Sequence, residues 1–267
     1  MAEKEIEKKG TSEISLSDGQ MAVFSSSGFE GTTSDTFMIP LLRVLNALSP
    51  ARKKSDPTYI PEAEDGDFYN SATGELKKEM NVRVLRIDHQ ICCWVPRSQG
   101  GGFRGAFHKS EEGTIVVRKN GLEKWDKDDN EVVDTIMLTC MDADDPRKVF
   151  FIPMAKTAFK HGKTWVSRMS YIKINPETFE LDQENGKEGA ATWAVVWNIK
   201  TVLLNNAKGE WYAIGNTPKA VRTFTQDDLP AIQSALNMIK DAELNYSELS
   251  EEQHSEAVTD DEGDTTF

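Results

Sequence analysis

The chain has 267 residues, a formal net charge of −13 at pH 7, 38% hydrophobic residues and 28% charged residues. It has no apolar run of about 18 residues and no apolar leader segment, so neither a transmembrane helix, nor export, nor membrane contact is expected. Cys92, Cys93 and Cys140 form no CxxC pair, which predicts reduced thiols in a cytoplasmic compartment.

The acidity is concentrated at the two ends of the chain. Residues 1–34 carry six acids, three bases and few large apolar groups, which predicts a disordered N-terminal segment. Residues 241–267 carry ten acids and no base, and they end on the aromatic Phe267. The intervening residues 35–240 therefore have no net charge, so the overall acidity does not exclude a nucleic-acid surface there.

Between the two ends, the pattern indicates one short helix followed by many strands. The apolar run at 37–45 predicts a short buried helix, and Pro50 stops it. Strands are predicted, with Gly, Asn and Asp turns between them, at 82–95, 103–107, 114–118, 132–141, 149–154, 164–174, 192–204 and 210–214. We expect the last two strands to form a hairpin.

An amphipathic helix is predicted after the strands. Thr225 can cap it with Asp228 three residues later, and four apolar residues then share one face: Leu229, Ile232, Leu236 and Ile239. The whole pattern predicts a mainly β protein with flanking short helices, built on an OB-fold-like barrel with insertions. We expect this nucleic-acid-binding barrel at 35–224, the helix at 225–244 and an acidic tail at 245–267.

Residues 146–176 contain seven bases, five aromatic residues and no acid. Single-stranded nucleic acid requires such a mixture, because bases stack on aromatic rings while lysine and arginine follow the phosphates. The alternative is a core strand with a solvated lysine edge. The candidate DNA-binding residues of this stretch are Arg147, Lys148, Lys156, Phe159, Lys160, Lys163, Trp165, Arg168, Tyr171 and Lys173.

A second, weaker patch surrounds the glycine run at 100–102. Its candidate residues are Trp94, Arg97, Phe103 and Arg104. Such a loop could close over a DNA strand, or it could be an ordinary hairpin turn. No following GK[ST] pattern makes the glycines a phosphate loop.

The sequence does not call for an enzyme, a metal or a cofactor. It contains no GxSxG, HExxH or Cys–His signature, and the four histidines have no zinc-ligand spacing. The acidic runs at 126–129 and 142–145 lack the glycine and distal glutamate of an EF-hand loop, so we expect turns there.

The chain has a β-rich body, a basic and aromatic stretch, a helix and an acidic tail ending in Phe, in that order. In this arrangement it resembles the T7-type single-stranded DNA-binding proteins of bacteriophages. The acidic residues and the final Phe of the tail are also similar to the tail of bacterial single-stranded DNA-binding proteins. The residues that carry this likeness are Asp260, Asp261, Glu262, Asp264 and Phe267. Bacterial tails place Pro before the final Phe, whereas Thr266 stands here, which argues against bacterial host partners and leaves a phage partner open.

The resemblance implies an OB-fold and coating of single-stranded DNA, without sequence preference, in DNA replication, recombination and repair in the host cytoplasm. It also implies homo-oligomers and contacts of the tail with a DNA polymerase or a helicase-primase. The charge separation further suggests that the tail masks the basic stretch until DNA displaces it.

Three other functions are compatible with the sequence. The protein could anneal or recombine single strands, or it could be a virion or assembly protein whose acidic ends only keep it in solution. An acidic DNA mimic is disfavoured, because the body between the acidic ends is neutral.

Overall fold

The computed structural model describes residues 39–99, 103–109, 113, 116–120, 123–206, 209–215 and 218–240. Within these ranges the strands are β1 Leu42–Val44, β2 Phe68–Asn70, β3 Leu76–Lys77, β4 Glu79–Trp94, β5 Phe103–His108, β6 Val116–Asn120, β7 Glu123–Asp126, β8 Glu131–Asp142, β9 Val149–Ala155, β10 Val195–Asn206, β11 Gly209–Ile214 and β12 Lys219–Thr223. The helices are α1 Lys156–Ser170 and α2 Leu229–Lys240. The predicted mainly β class is confirmed.

A long antiparallel pair, β4 and β8, forms the spine of the main sheet. Their register runs from Val82 opposite Asp142 to Trp94 opposite Glu131. One end of this spine is flanked by β10 and β9, and β12 continues the sheet beyond β10. The other end is flanked by β5 and β7, and β6 continues the sheet beyond β7. The strands β5 to β7 therefore form an insertion in the chain between the two strands of the spine, β4 and β8.

A small antiparallel sheet, β1–β2–β3, joins the free edge of β9 to β11. Leu41 forms a parallel bridge with Phe151 of β9. On the other side, the Asn46 side chain accepts a hydrogen bond from the Tyr212 backbone N–H (2.6 Å) and donates one to its carbonyl (3.3 Å). The strand pairings of the described residues thus leave β9 and β11 unpaired with each other, and side-chain bonds complete a barrel-like ring.

Helix α1 packs its apolar face into the core that this ring encloses. Trp165 is fully buried, and its ring meets that of Trp197 edge-on at a centroid distance of 6.3 Å. Gly162 lies so close to β9 that a Cβ atom there would be 2.8 Å from the Met154 Cβ. Helix α1 is therefore held closely against the strands, and this contact fixes which of its faces is exposed.

Helix α2 packs on a second apolar cluster. Ile232, Ala235 and Ile239 are buried against residues of the spine and of β9. Two arginines of β4 bind its ends: Arg83 donates to Asp228, and Arg86 donates to the Ile239 carbonyl at 3.0 Å. The predicted cap is confirmed, because the Asp228 carboxylate accepts from the Thr225 N–H at 2.8 Å.

Most predicted strands are confirmed, including the β8–β9 and β10–β11 pairs. Two predicted elements are wrong. Residues 42–44 form strand β1 rather than a helix, because such a short apolar run fits both periodicities and pairing with β2 decides it. Residues 164–170 belong to helix α1 rather than a strand: Thr164, Trp165 and Val166 favour strands locally, but burial of Gly162, Trp165 and Met169 on one helical face outweighs that preference.

Candidate nucleic-acid interface

Helix α1 presents a polar face opposite its buried face. Lys156, Lys160, Lys163 and Ser167 recur at intervals of four, three and four residues, so they share one side of the helix, and all four are exposed. We call these four residues the α1 basic face. At the C-terminal end, Tyr171 is 68% exposed. From Lys156 to Tyr171 the surface extends for about 22 Å at the helical rise per residue.

The cations of the basic stretch fall into two groups that the sequence does not separate. Arg147 pairs with Asp145 at 3.0 Å, Lys148 with Glu75 at 2.6 Å, and Lys156 with Glu131 at 3.6 Å. By contrast, no described carboxylate forms an ion pair with Lys160, Lys163, Arg168 or Lys173. The second group can therefore bind an external anion without breaking an internal ion pair.

An open pocket of about 530 Å³ lies between α1 and the spine. Its lining includes the apolar side chains of Ile87, Ile136 and Val166 and the charged side chains of Lys109, Asp134 and Lys163. Two rings form a wall: the centroids of His89 and Phe159 are 5.5 Å apart with an interplanar angle of 47°. The Lys163 ammonium lies over the Phe159 ring, 5.4 Å from its centroid. This pocket combines aromatic surface with cations at one place.

Asp134 organises the charges at one end of this pocket. Its carboxylate accepts hydrogen bonds from Lys109 (2.5 Å) and Lys124 (2.6 Å). Burial opposes ionisation of Asp134, but the two lysines outweigh it and lower its pKa to about 2. The neighbouring His89 has a lowered pKa, chiefly because burial disfavours its charged form. At neutral pH the pocket thus holds an ionised Asp134 and a neutral His89.

The structure brings together only part of the predicted DNA-binding set. Phe159 and Lys163 line the pocket, Lys160 and Arg168 are exposed elsewhere on α1, and Lys173 is half-buried. Arg104 is exposed on β5, the strand that precedes the pocket residue Lys109. Of the predicted DNA-binding set, Phe159 and Lys163 are therefore the residues that line the pocket.

Two predicted stacking residues need correction. Trp165 is 0% exposed and Trp94 is 3% exposed, so neither ring is accessible to a base. Trp165 faces the core because it lies on the side of α1 opposite the lysines, and Trp94 packs into the cluster under α2. The side chains of Arg97 and Phe103, and all tail residues (Asp260, Asp261, Glu262, Asp264 and Phe267), lie outside the described residues, as does the segment 1–34.

Sequence reasoning missed His89, Asp134 and Lys124 as site residues. His89 and Ile136 are directly opposed in the β4–β8 register, so their side chains point to the same face of the sheet. The sequence shows a histidine in one predicted strand and an acid in another. Whether the two side chains lie close together under α1 depends on which residues of β4 and β8 are opposite each other.

No helix within the described ranges is long and apolar enough to cross a membrane. No curated protein and no solved structure matches the chain significantly. The model of one family, described as Pam3 phage gp34-like protein, matches residues 8–245. That match spans most of the 267 residues and indicates a phage protein. The chain therefore belongs to the Pam3 phage gp34-like protein family and is a bacteriophage protein.

Proposed function

We propose that this protein binds single-stranded DNA without sequence preference, in phage DNA replication, recombination and repair. The observation that carries the proposal is that Lys160 and Lys163, which lack described carboxylate partners, share one face of α1 at the Phe159 pocket, and that exposed Tyr171 follows at the end of the helix. Aromatic surface together with available cations is what a sequence-tolerant single-strand site requires, since every base has a ring face and every nucleotide a phosphate.

The connectivity of the main strands supports an OB-type assignment. β4, β8 and β9 are followed by α1 and then by β10 and β11. β4 pairs with both β8 and β10, β8 with β9, and β10 with β11, which is the pattern of a five-stranded Greek-key barrel. In this protein β1 lies between β9 and β11, which are the third and fifth strands of that pattern. OB-folds bind oligonucleotides on their strands and loops, which is consistent with the proposed function.

The acidic residues after α2 fit the same proposal as an intramolecular competitor. Residues 241–267 carry ten acids, while the cations of the basic stretch that lack described carboxylate partners lie on and just after α1. When DNA displaces this segment, its acids and Phe267 become available to a replication protein such as a DNA polymerase or a helicase-primase. Self-association of the protein along the strand would belong to the same function.

The salt dependence of binding has an expected size. If Lys160, Lys163, Arg168 and Lys173 each neutralise one phosphate, log K falls with log salt at a slope of about −3 for a single strand. Affinity for a dT oligonucleotide should then drop about 50-fold between about 50 and about 200 mM salt. Fluorescence anisotropy titrations at both concentrations measure this slope.

A pair of matched variants tests the site itself. K160Q/K163Q removes two cations of the α1 basic face, and K53Q/K54Q removes two exposed lysines elsewhere. The first variant should reduce the salt slope by about 1.4 and weaken binding, whereas the second should bind like the wild type. Equal losses in both variants would contradict the α1 site. Failure of the wild type to bind dT at low salt would contradict the proposed function.

A further inference from the structure

The pocket between α1 and the spine has the size and lining of a site for one small planar group. Its volume of about 530 Å³ lies within the range of about 300–1,000 Å³ that is usual for small-molecule sites. Its lining combines the apolar side chains of Ile87, Ile136 and Val166 with a few polar and charged groups. A flat heterocycle satisfies both conditions better than a solvated ion does.

The charged groups of the lining determine which part of a nucleotide fits inside. The Asp134 carboxylate already binds the ammonium groups of Lys109 and Lys124, so a phosphate inside the pocket would have to compete with it for both. A nucleobase has no formal charge and offers both donors and acceptors along its edge, which Asp134, Lys109 and Ser167 can match. The phosphates then belong outside the pocket, on the exposed lysines of the α1 basic face.

The ring geometry determines where the base lies. His89 and Phe159 are 5.5 Å apart, whereas a base stacked between two rings needs about 7 Å, or two van der Waals contacts. Phe159 is half-buried, and the Lys163 ammonium lies over its ring, 5.4 Å from the centroid. Because Lys163 has no ion pair with a described carboxylate, its ammonium can leave the ring without breaking one.

We infer that this pocket holds one unpaired base of the bound strand, which replaces the Lys163 ammonium on Phe159 while Lys163 moves to a flanking phosphate. This inference rests on the proposed function and adds a specific base subsite to it. Lys163 thus acts twice: it covers the apolar ring in the free protein, and it neutralises the strand in the complex.

The test compares a dT oligonucleotide with an abasic oligonucleotide of the same length, which keeps the phosphates and lacks the bases. The wild type should bind dT more tightly than the abasic strand. Phe159→Leu should lower this preference about fivefold or more, because it removes the stacking ring but keeps an apolar side chain. Phe159→Tyr should preserve the preference, and Lys163→Gln should weaken binding of both strands. Thermal unfolding confirms that each variant is folded.

Three outcomes would overturn the inference. If folded Phe159→Leu keeps the dT preference within about twofold, no base stacks on this ring. If micromolar free thymidine monophosphate displaces the strand, the pocket is a site for a free nucleotide instead. If the wild type binds neither strand at low salt, the proposed function fails and the base subsite fails with it.

Discussion

Trp165 and Tyr171 show how strongly a residue's role depends on its position around a helix. Both are aromatic, both lie among the same lysines and arginines, and only six residues separate them. Trp165 is 0% exposed and Tyr171 is 68% exposed. Six residues correspond to about 240° around a helix, and Tyr171 directly follows the last residue of α1, so one ring faces the core while the other faces solvent.

Asp134 is the residue whose ionisation should matter most for stability around the pocket. Its pKa is lowered from 3.8 to about 2 in the folded protein, so folding favours the ionised carboxylate. The stabilisation of about 2 kcal/mol is fully present above about pH 5 and is lost as pH falls towards 2. We expect Asp134→Asn to lower the free energy of unfolding by about this amount at pH 7, with the difference vanishing near pH 2.

Urea unfolding at a series of pH values measures this difference. Asp128→Asn is a suitable control, because Asp128 is exposed on the turn between β7 and β8. We expect the control to change stability by less than about 0.5 kcal/mol at every pH. A wild-type–Asp134→Asn difference that does not depend on pH would rule out the proposed charge coupling.

At the scale of elements, the closure between the small sheet and β10–β11 depends on close backbone approach. Asn46 binds both backbone groups of Tyr212, and Thr201 donates to the Gly66 carbonyl at 2.7 Å. Gly66 adopts a φ of +84°, and a Cβ atom there would lie 2.6 Å from the Tyr212 ring. Glycine is therefore required twice at this position, by its backbone conformation and by the space available.

Gly66→Ala should lower the free energy of unfolding by about 2–4 kcal/mol, from backbone strain and overpacking together. Gly189→Ala separates the two causes, because Gly189 has a φ of +87° and a Cβ atom there would meet no heavy atom of the described residues within 4 Å. The control should cost about 1 kcal/mol. Chemical denaturation of both variants provides the comparison, and equal losses would show that contact with Tyr212 is unimportant.

At the scale of the whole molecule, the acidic segment follows directly after a helix that β4 anchors. Arg83 and Arg86 of β4 bind the two ends of α2, and ten acids follow α2 in the sequence. α2 and α1 pack on different apolar clusters of the same spine. The twenty-seven residues after Lys240 are long enough to reach α1 from there, since an extended chain covers about 3.3 Å per residue.

Deleting residues 251–267, which carry seven acids, should raise the affinity for a dT oligonucleotide at low salt. The gain should shrink as salt rises, because screening weakens the competition between acids and phosphates. Titrations of full-length and shortened protein at two salt concentrations measure both effects. Unchanged affinity at low salt would contradict competition by this segment and would leave recruitment of a partner as a separate proposal.

The sequence by itself determined the mainly β class, the β8–β9 and β10–β11 pairs and the cap of α2, because these depend on local alternation, turn residues and side chains three apart. It also located a basic and aromatic stretch in a body whose net charge is zero. The tertiary structure decided that residues 42–44 pair as a strand and that 156–170 form a helix, because packing against β9 and the core outweighs weak local preferences.

Only the tertiary structure separated the cations with internal partners, such as Arg147 and Lys148, from Lys160 and Lys163. It also brought His89 and Asp134 under Phe159. Ion pairs, strand register and the rotation of a helix are contacts between distant parts of the chain, and a linear pattern of residue types does not contain them.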